Sequence, residues 1–131
     1  MTNETPIRGL VIRQSLKHEV LHSNLEVHLS GSHQHNLGGQ QEVEILEFLV
    51  ERTNLWPVMC DLSKLLKPKR FYAHFIDGNY MYVVFPYCVV IVVDSDISSL
   101  KRAQAIGDTF GIPTREMRFL EIFKADHPNE K

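Results

Sequence analysis

The chain has 131 residues, 44% of them hydrophobic and 23% charged, and its 14 Lys and Arg against 16 Asp and Glu leave a formal net charge of −2. This composition predicts one compact domain that buries about two-thirds of its unfolded surface without a disulfide or metal staple, and it excludes an intrinsically disordered chain. So small a net charge supplies no field toward phosphate backbones or anionic lipid, so neither nucleic acid nor a membrane is an expected partner.

The one basic cluster, Lys64 to Arg70, reads as a solvated helix end and connector. The longest apolar run, Val83 to Val93, is interrupted by Pro86 and is too short to span a bilayer as a helix. Cys60 and Cys88 lie in apolar sequence without C-x-x-C spacing or an upstream secretory pattern, so both are expected as reduced core residues of a cytoplasmic protein.

In chain order, residues 1–6 and 127–131 are expected to fray. Ile12, Leu16 and Val20 recur at spacing four, so a helix there would set His18 beside His22. Leu25, Val27 and Leu29 then alternate with Glu26, His28 and Ser30, which predicts a strand, followed by a polar loop from Gly31 to Gly39. From Gly39, Val43, Leu46 and Val50 form an apolar stripe, with Glu42, Glu44, Glu47 and Glu51 outside it; this spacing predicts a helix that ends at Asn54. Leu55 to Cys60 is ambiguous, and Asp61 is placed to cap a short helix through Leu66.

The clearest sheet signal is RFYAHFIDGNYMYVVFPYCVVIVVD. Phe71–Ile76 and Tyr80–Phe85 flank Asp77-Gly78-Asn79 and predict a hairpin, with a third strand from Cys88 to Asp94 beyond a corner at Pro86. A helix is predicted from Ser98 to Phe110, stopped by Gly111 and Pro113, and Glu116 to Lys124 has strand composition. Both parities of the central strands are apolar, so both sheet faces need cover. The two main helices can cover one face, which leaves the other to the N-terminal 35 residues or to a second subunit, and a homodimer is expected.

The most specific chemical motif is HEVLHSNLEVH, residues 18 to 28. His18 and His22 with Glu19 fit H-E-x-x-H, in which two imidazoles one helical turn apart hold zinc and the glutamate activates water. The interval to His28 resembles the metzincin proteases, whose third histidine returns to the metal after a glycine turn. Leu25 stands where that glycine belongs, and only 17 residues precede His18, where the family carries most of its active-site sheet. The preferred reading is therefore a solvated, histidine-rich surface segment.

His33-Gln34-His35 is a cupin-like H-x-H fragment without a barrel strand to carry its glutamate. VVIVVDSDIS resembles the first motif of haloacid-dehalogenase-type phosphatases through Asp94 and Asp96, yet Asp96 and Ser98 are better placed to cap the following helix. The element order resembles restriction-endonuclease-type nucleases, but their acidic-x-lysine signature is missing from Val90-Ile91-Val92-Val93.

The expectation is thus a single α+β domain with a mainly antiparallel sheet of about four strands or more and two main helices. Its expected role is that of a small, soluble, non-catalytic binding or interaction protein without a cofactor. The aromatic group Phe71, Tyr72, Phe75, Tyr80, Tyr82, Phe85 and Tyr87, with Trp56, offers either a subunit contact or an apolar ligand pocket, for which Tyr72, Tyr80, Tyr82 and Trp56 are the candidate residues. The alternative from a different class is a zinc-dependent hydrolase with His18, His22 and His28 as ligands and Glu19 as base.

Overall fold

The computed structural model describes residues 5–17, 21, 23–38, 41–67 and 72–124. Six strands form one sheet: β1 (Ile7–Ile12), β2 (Leu29–Gly38), β3 (Gln41–Val50), β4 (Ala73–Asp77), β5 (Tyr80–Phe85) and β6 (Cys88–Val93). Their order is β2-β3-β1-β4-β5-β6, and every pairing is antiparallel. The helices are α1 (Ser23–Glu26), α2 (Leu55–Leu65), α3 (Ile97–Thr109) and α4 (Phe119–Lys124). The α+β class with an antiparallel sheet and two main helices, α2 and α3, is therefore what the chain adopts. No described helix is long and apolar enough to cross a membrane. Apart from Thr5 and Pro6, the ends expected to fray lie outside the described residues.

Three segments differ from the expectation. The helix expected from Gly39 is strand β3: Leu46, Phe48 and Val50 are buried at period two and pair with Val11, Gly9 and Ile7 of β1. The glutamates that mimicked a helix's wet face find arginines instead. Arg8 Nε donates to Glu47 Oε2 at 2.5 Å, and Arg13 Nε donates to Glu44 Oε1 at 2.7 Å. The polar loop expected from Gly31 to Gly39 is the edge strand β2, preceded by the single turn α1 where alternation predicted a strand. The strand expected over Glu116–Lys124 is a 3-10 turn, Thr114–Glu116, followed by α4. Phe119, Ile122 and Phe123 recur at helical spacing and turn together onto the sheet.

The C-terminal half follows its turn chemistry. Gly78 has φ 61 in the two-residue connection between β4 and β5, the position where a type II′ hairpin needs glycine. The β5–β6 connection is Pro86-Tyr87, with Tyr87 at φ 59, a left-handed conformation uncommon for so bulky a residue. Helix α2 starts earlier than the cap at Asp61 suggested, since Pro57 in its first turn removes an N–H that has no intrahelical partner there. Asp96 caps α3 as expected, its carboxylate accepting from the amides of Ser98 at 3.0 Å and Ser99 at 3.4 Å. Gly111, φ 79, closes that helix.

Each face of the sheet carries its own core. On one, Leu55, Val58, Met59, Leu62 and Leu66 of α2 and its C-terminal end pack on β1, β3, β4 and β5, and Leu21 and Leu25 extend the cluster. On the other, Met81, Val83, Phe85, Val90 and Val92 meet Ala103 of α3 with Ile112, Met117 and Phe119. The two main helices thus lie on opposite faces, and the missing cover that suggested a second subunit is supplied by the chain itself. Cys88 is half-buried, whereas Cys60 is exposed on α2 and not a core residue as expected.

The hydrogen bond from Ser32 and the guanidinium of Arg13 hold the Glu44 carboxyl below the ordinary carboxylate range. A depressed folded-state value stabilises the fold above the unfolded-state value, and that contribution is lost as pH falls through the folded one. Glu44→Gln is therefore expected to flatten the acid limb of a urea-midpoint against pH curve below about pH 5, while leaving the midpoint at pH 7 slightly reduced; an unchanged acid limb would refute this.

Candidate functional site

The aromatic candidates separate according to the sheet face on which their strand register places them. Tyr80 and Tyr82 alternate along β5 on the α2 face, opposite Val93 and Ile91 of β6. Trp56, in the first turn of α2, meets Tyr82 edge to face, with centroids 5.7 Å apart and planes at 77°. Both Trp56 and Tyr80 are about half exposed, at 49% and 50%, and Ile91 is 40% exposed. These four side chains form a continuous apolar strip along the end of α2 and the outer strands.

Tyr72 is not part of it. Its hydroxyl donates to the Glu116 carbonyl oxygen at 2.9 Å, and its ring packs edge to face against Phe119 in the opposite core. That enclosure, with the charge of Glu116 beside it, pushes the phenol above the ordinary tyrosine range. Phe75 and Phe85 are fully buried on opposite faces, and Phe71 lies outside the described residues. Of the four residues expected to line one pocket, Trp56, Tyr80 and Tyr82 therefore share an open strip on one face, and Tyr72 lies in the core of the other.

Polar groups border the strip at both ends. Arg52 Nη1 pairs with Asp77 Oδ2 next to Tyr80, whose Cα partner in the hairpin is Asp77. At the far end of β6, Lys17 Nζ donates to the Tyr87 hydroxyl at 3.0 Å and lies 5.0 Å from its ring centroid. The Tyr87 amide donates to the Ser63 carbonyl at 3.0 Å, which ties this strained, exposed corner to α2. An apolar centre with a charged rim is the usual anatomy of a protein contact surface. A shallow depression elsewhere, lined by Asn24, Leu25, Asp61, Lys64 and Leu65, is bridged by the Asn24–Asp61 hydrogen bond at 2.6 Å.

The histidine motif has less to stand on. Zinc ligation by His18 and His22 requires a helix through residues 10–22, yet Leu10 to Ile12 is strand, Arg13–Ser15 is a 3-10 turn and Leu16 makes an extended bridge with Leu66. His18, Glu19 and His22 themselves lie outside the described residues, and His28 sits in the turn between α1 and β2. Among the described residues, no three His, Cys, Asp or Glu side chains are grouped to hold a metal ion. His33 and His35 share one parity of β2, paired with Ile45 and Val43. Asp94 and Asp96 follow β6, where Asp96 is engaged as the α3 cap.

Comparison with protein-family models, curated proteins and solved structures finds no match. The site must therefore be read from its own chemistry. Ile91 belongs to it and was not singled out by residue type, whereas Tyr87, named in the aromatic group, stands at its rim. The available signal was CVVIVV, a strand of alternating parity in which Val89, Ile91 and Val93 share a face with Tyr82.

Proposed function

We propose that the protein is a non-catalytic interaction module whose contact surface is the strip of Trp56, Tyr80, Tyr82 and Ile91. The observation that carries this reading is the exposure of Trp56 and Tyr80, half open to water at the centre of an apolar run. Large aromatic side chains left in this state are where binding energy concentrates when a partner removes the water. The Arg52–Asp77 pair and Lys17 supply the rim that orients such a partner. The zinc-hydrolase alternative has no supporting geometry among the described residues.

The test uses an anilinonaphthalene sulfonate dye as an apolar probe at low protein concentration. Bound dye is expected to quench the emission of Trp56, the sole tryptophan, by energy transfer. Dye emission should fall at least about fivefold in Trp56→Ser/Tyr80→Ser, with the circular-dichroism spectrum unchanged. Dye that binds the double variant as well as the parent overturns the assignment of the surface.

A further inference from the structure

We infer that the partner of this surface is a second copy of the chain, joined antiparallel and edge to edge through β6 about a twofold axis at Val90. The inference rests on the interaction reading above and adds the occupant and the register.

The two edges of the sheet are built differently. Strand β2, LSGSHQHNLG, is largely polar, carries three residues of Gly or Asn type in its sequence interior and end, and has register shifts between Leu29 and Gly31 and between Asn36 and Gly38. Such bulges and polar positions are how natural sheets discourage edge pairing. Strand β6, CVVIVV, contains no charge, proline or glycine and pairs with β5 residue for residue without a shift. An uncharged, regular, β-branched edge with these protections absent is suited to receive another strand.

The hydrogen bonds fix which groups await it. The Val93 amide donates to Ser99 Oγ at 2.9 Å, and the Val93 carbonyl accepts the Asp96 amide at 3.0 Å, so the main-chain groups of Val93 face away from β5. By the alternation of an antiparallel ladder, Val89 and Ile91 face outward too, while Cys88, Val90 and Val92 bond to β5. Ser99 and Asp96 close the edge at Val93, and the outer side of β6 has no strand partner among the described residues. What is left is two outward residues on either side of Val90.

That arrangement is self-complementary. A twofold axis at Val90 sets Val89 opposite the second copy's Ile91 and Ile91 opposite its Val89, and each pair exchanges both N–H···O bonds. The side chains of Val89 and Ile91 lie on the α2 face, so the pairing also joins one aromatic strip to the other. No charged side chain on the edge demands an unlike partner.

Sedimentation equilibrium and amide hydrogen exchange on the full chain, from about 10 μM to about 1 mM, test this. The mass is expected to rise from 15.1 kDa toward twice that value. The Val89 and Ile91 amides should exchange at least about tenfold more slowly at the high concentration, whereas those of Val90 and Val92 are protected at both. Ile91→Lys, at an exposed position, should keep the circular-dichroism spectrum and remain monomeric throughout. Doubling that survives Ile91→Lys, or that leaves the Val89 and Ile91 amides unslowed, overturns the β6 pairing while the interaction reading stands. A monomer at every concentration also overturns it, and the dye measurement then decides the interaction reading separately.

Discussion

Phe75→Ala is expected to lower the free energy of unfolding by about 3–5 kcal/mol, and adding Gly9→Ala to it should restore part of that loss. Phe75 is fully buried, and its ring lies over Gly9: a β-carbon built on Gly9 would stand 2.2 Å from both Cδ2 and Cε2 of the ring. Gly9 pairs with Phe75 on one side and Phe48 on the other, so the middle strand leaves a gap in its side-chain layer that the aromatic ring fills. Alone, Gly9→Ala is therefore expected to cost about 1–3 kcal/mol by overpacking. Without the ring the same methyl group enters vacated space, so the two changes must couple favourably. A double-mutant cycle by urea denaturation checks this, and simple additivity within about 0.5 kcal/mol would rule out the glycine as a seat for the ring.

Glu47→Ala is expected to cost about 2–3 kcal/mol, whereas Arg8→Met/Glu47→Leu should return most of it. The Arg8 and Glu47 side chains are only 11% and 20% exposed, and their strand neighbours are apolar: Leu49 and Ile76 beside Arg8, Leu10 beside Glu47. Removing the carboxylate leaves a largely desolvated guanidinium without its short partner, which is where the cost arises. Apolar replacements of similar volume remove both desolvation penalties and fit the adjoining leucine and isoleucine side chains. Denaturant midpoints of the single and double variants decide it. A loss below about 0.5 kcal/mol for Glu47→Ala would mean the pair behaves as an exposed surface contact.

The second half of the chain was legible because its structure is set locally. Asp77-Gly78-Asn79, Pro86, Asp96 and Gly111 each act through their own φ preference or a hydrogen bond to a near neighbour, and β4, β5, β6 and α3 fall between them. Strand β3 was not legible, because the reason Glu44 and Glu47 tolerate their positions lies in Arg13 and Arg8, more than thirty residues away. No local periodicity encodes that register. Helix α4 shows the opposite failure: its residues favour strands, but the core over β5 and β6 needs Phe119, Ile122 and Phe123 on one side, and tertiary packing overrides the propensity. At the site, residue type identified Tyr80, Tyr82 and Trp56, while the separation of Tyr72 from them is a matter of parity and strand direction that only the assembled sheet settles.

The place of β1 within the sheet governs the route by which the fold can form. The first described strand is an inner one, held between β3 and β4, with α2 crossing over from one of those flanking strands to the other. The pairs β2–β3 and β4–β5–β6 close through short connections and can assemble on microsecond timescales. Among the described residues these two groups of strands are joined in the sheet by Ile7–Ile12, whose partners reach from Ile45 to Ile76. Uniting the halves therefore requires large loops to close before their contacts are gained, an entropic cost that slows folding relative to a sheet of local hairpins. On the ribosome, β1 would lack the second of its two neighbours until β4 had emerged.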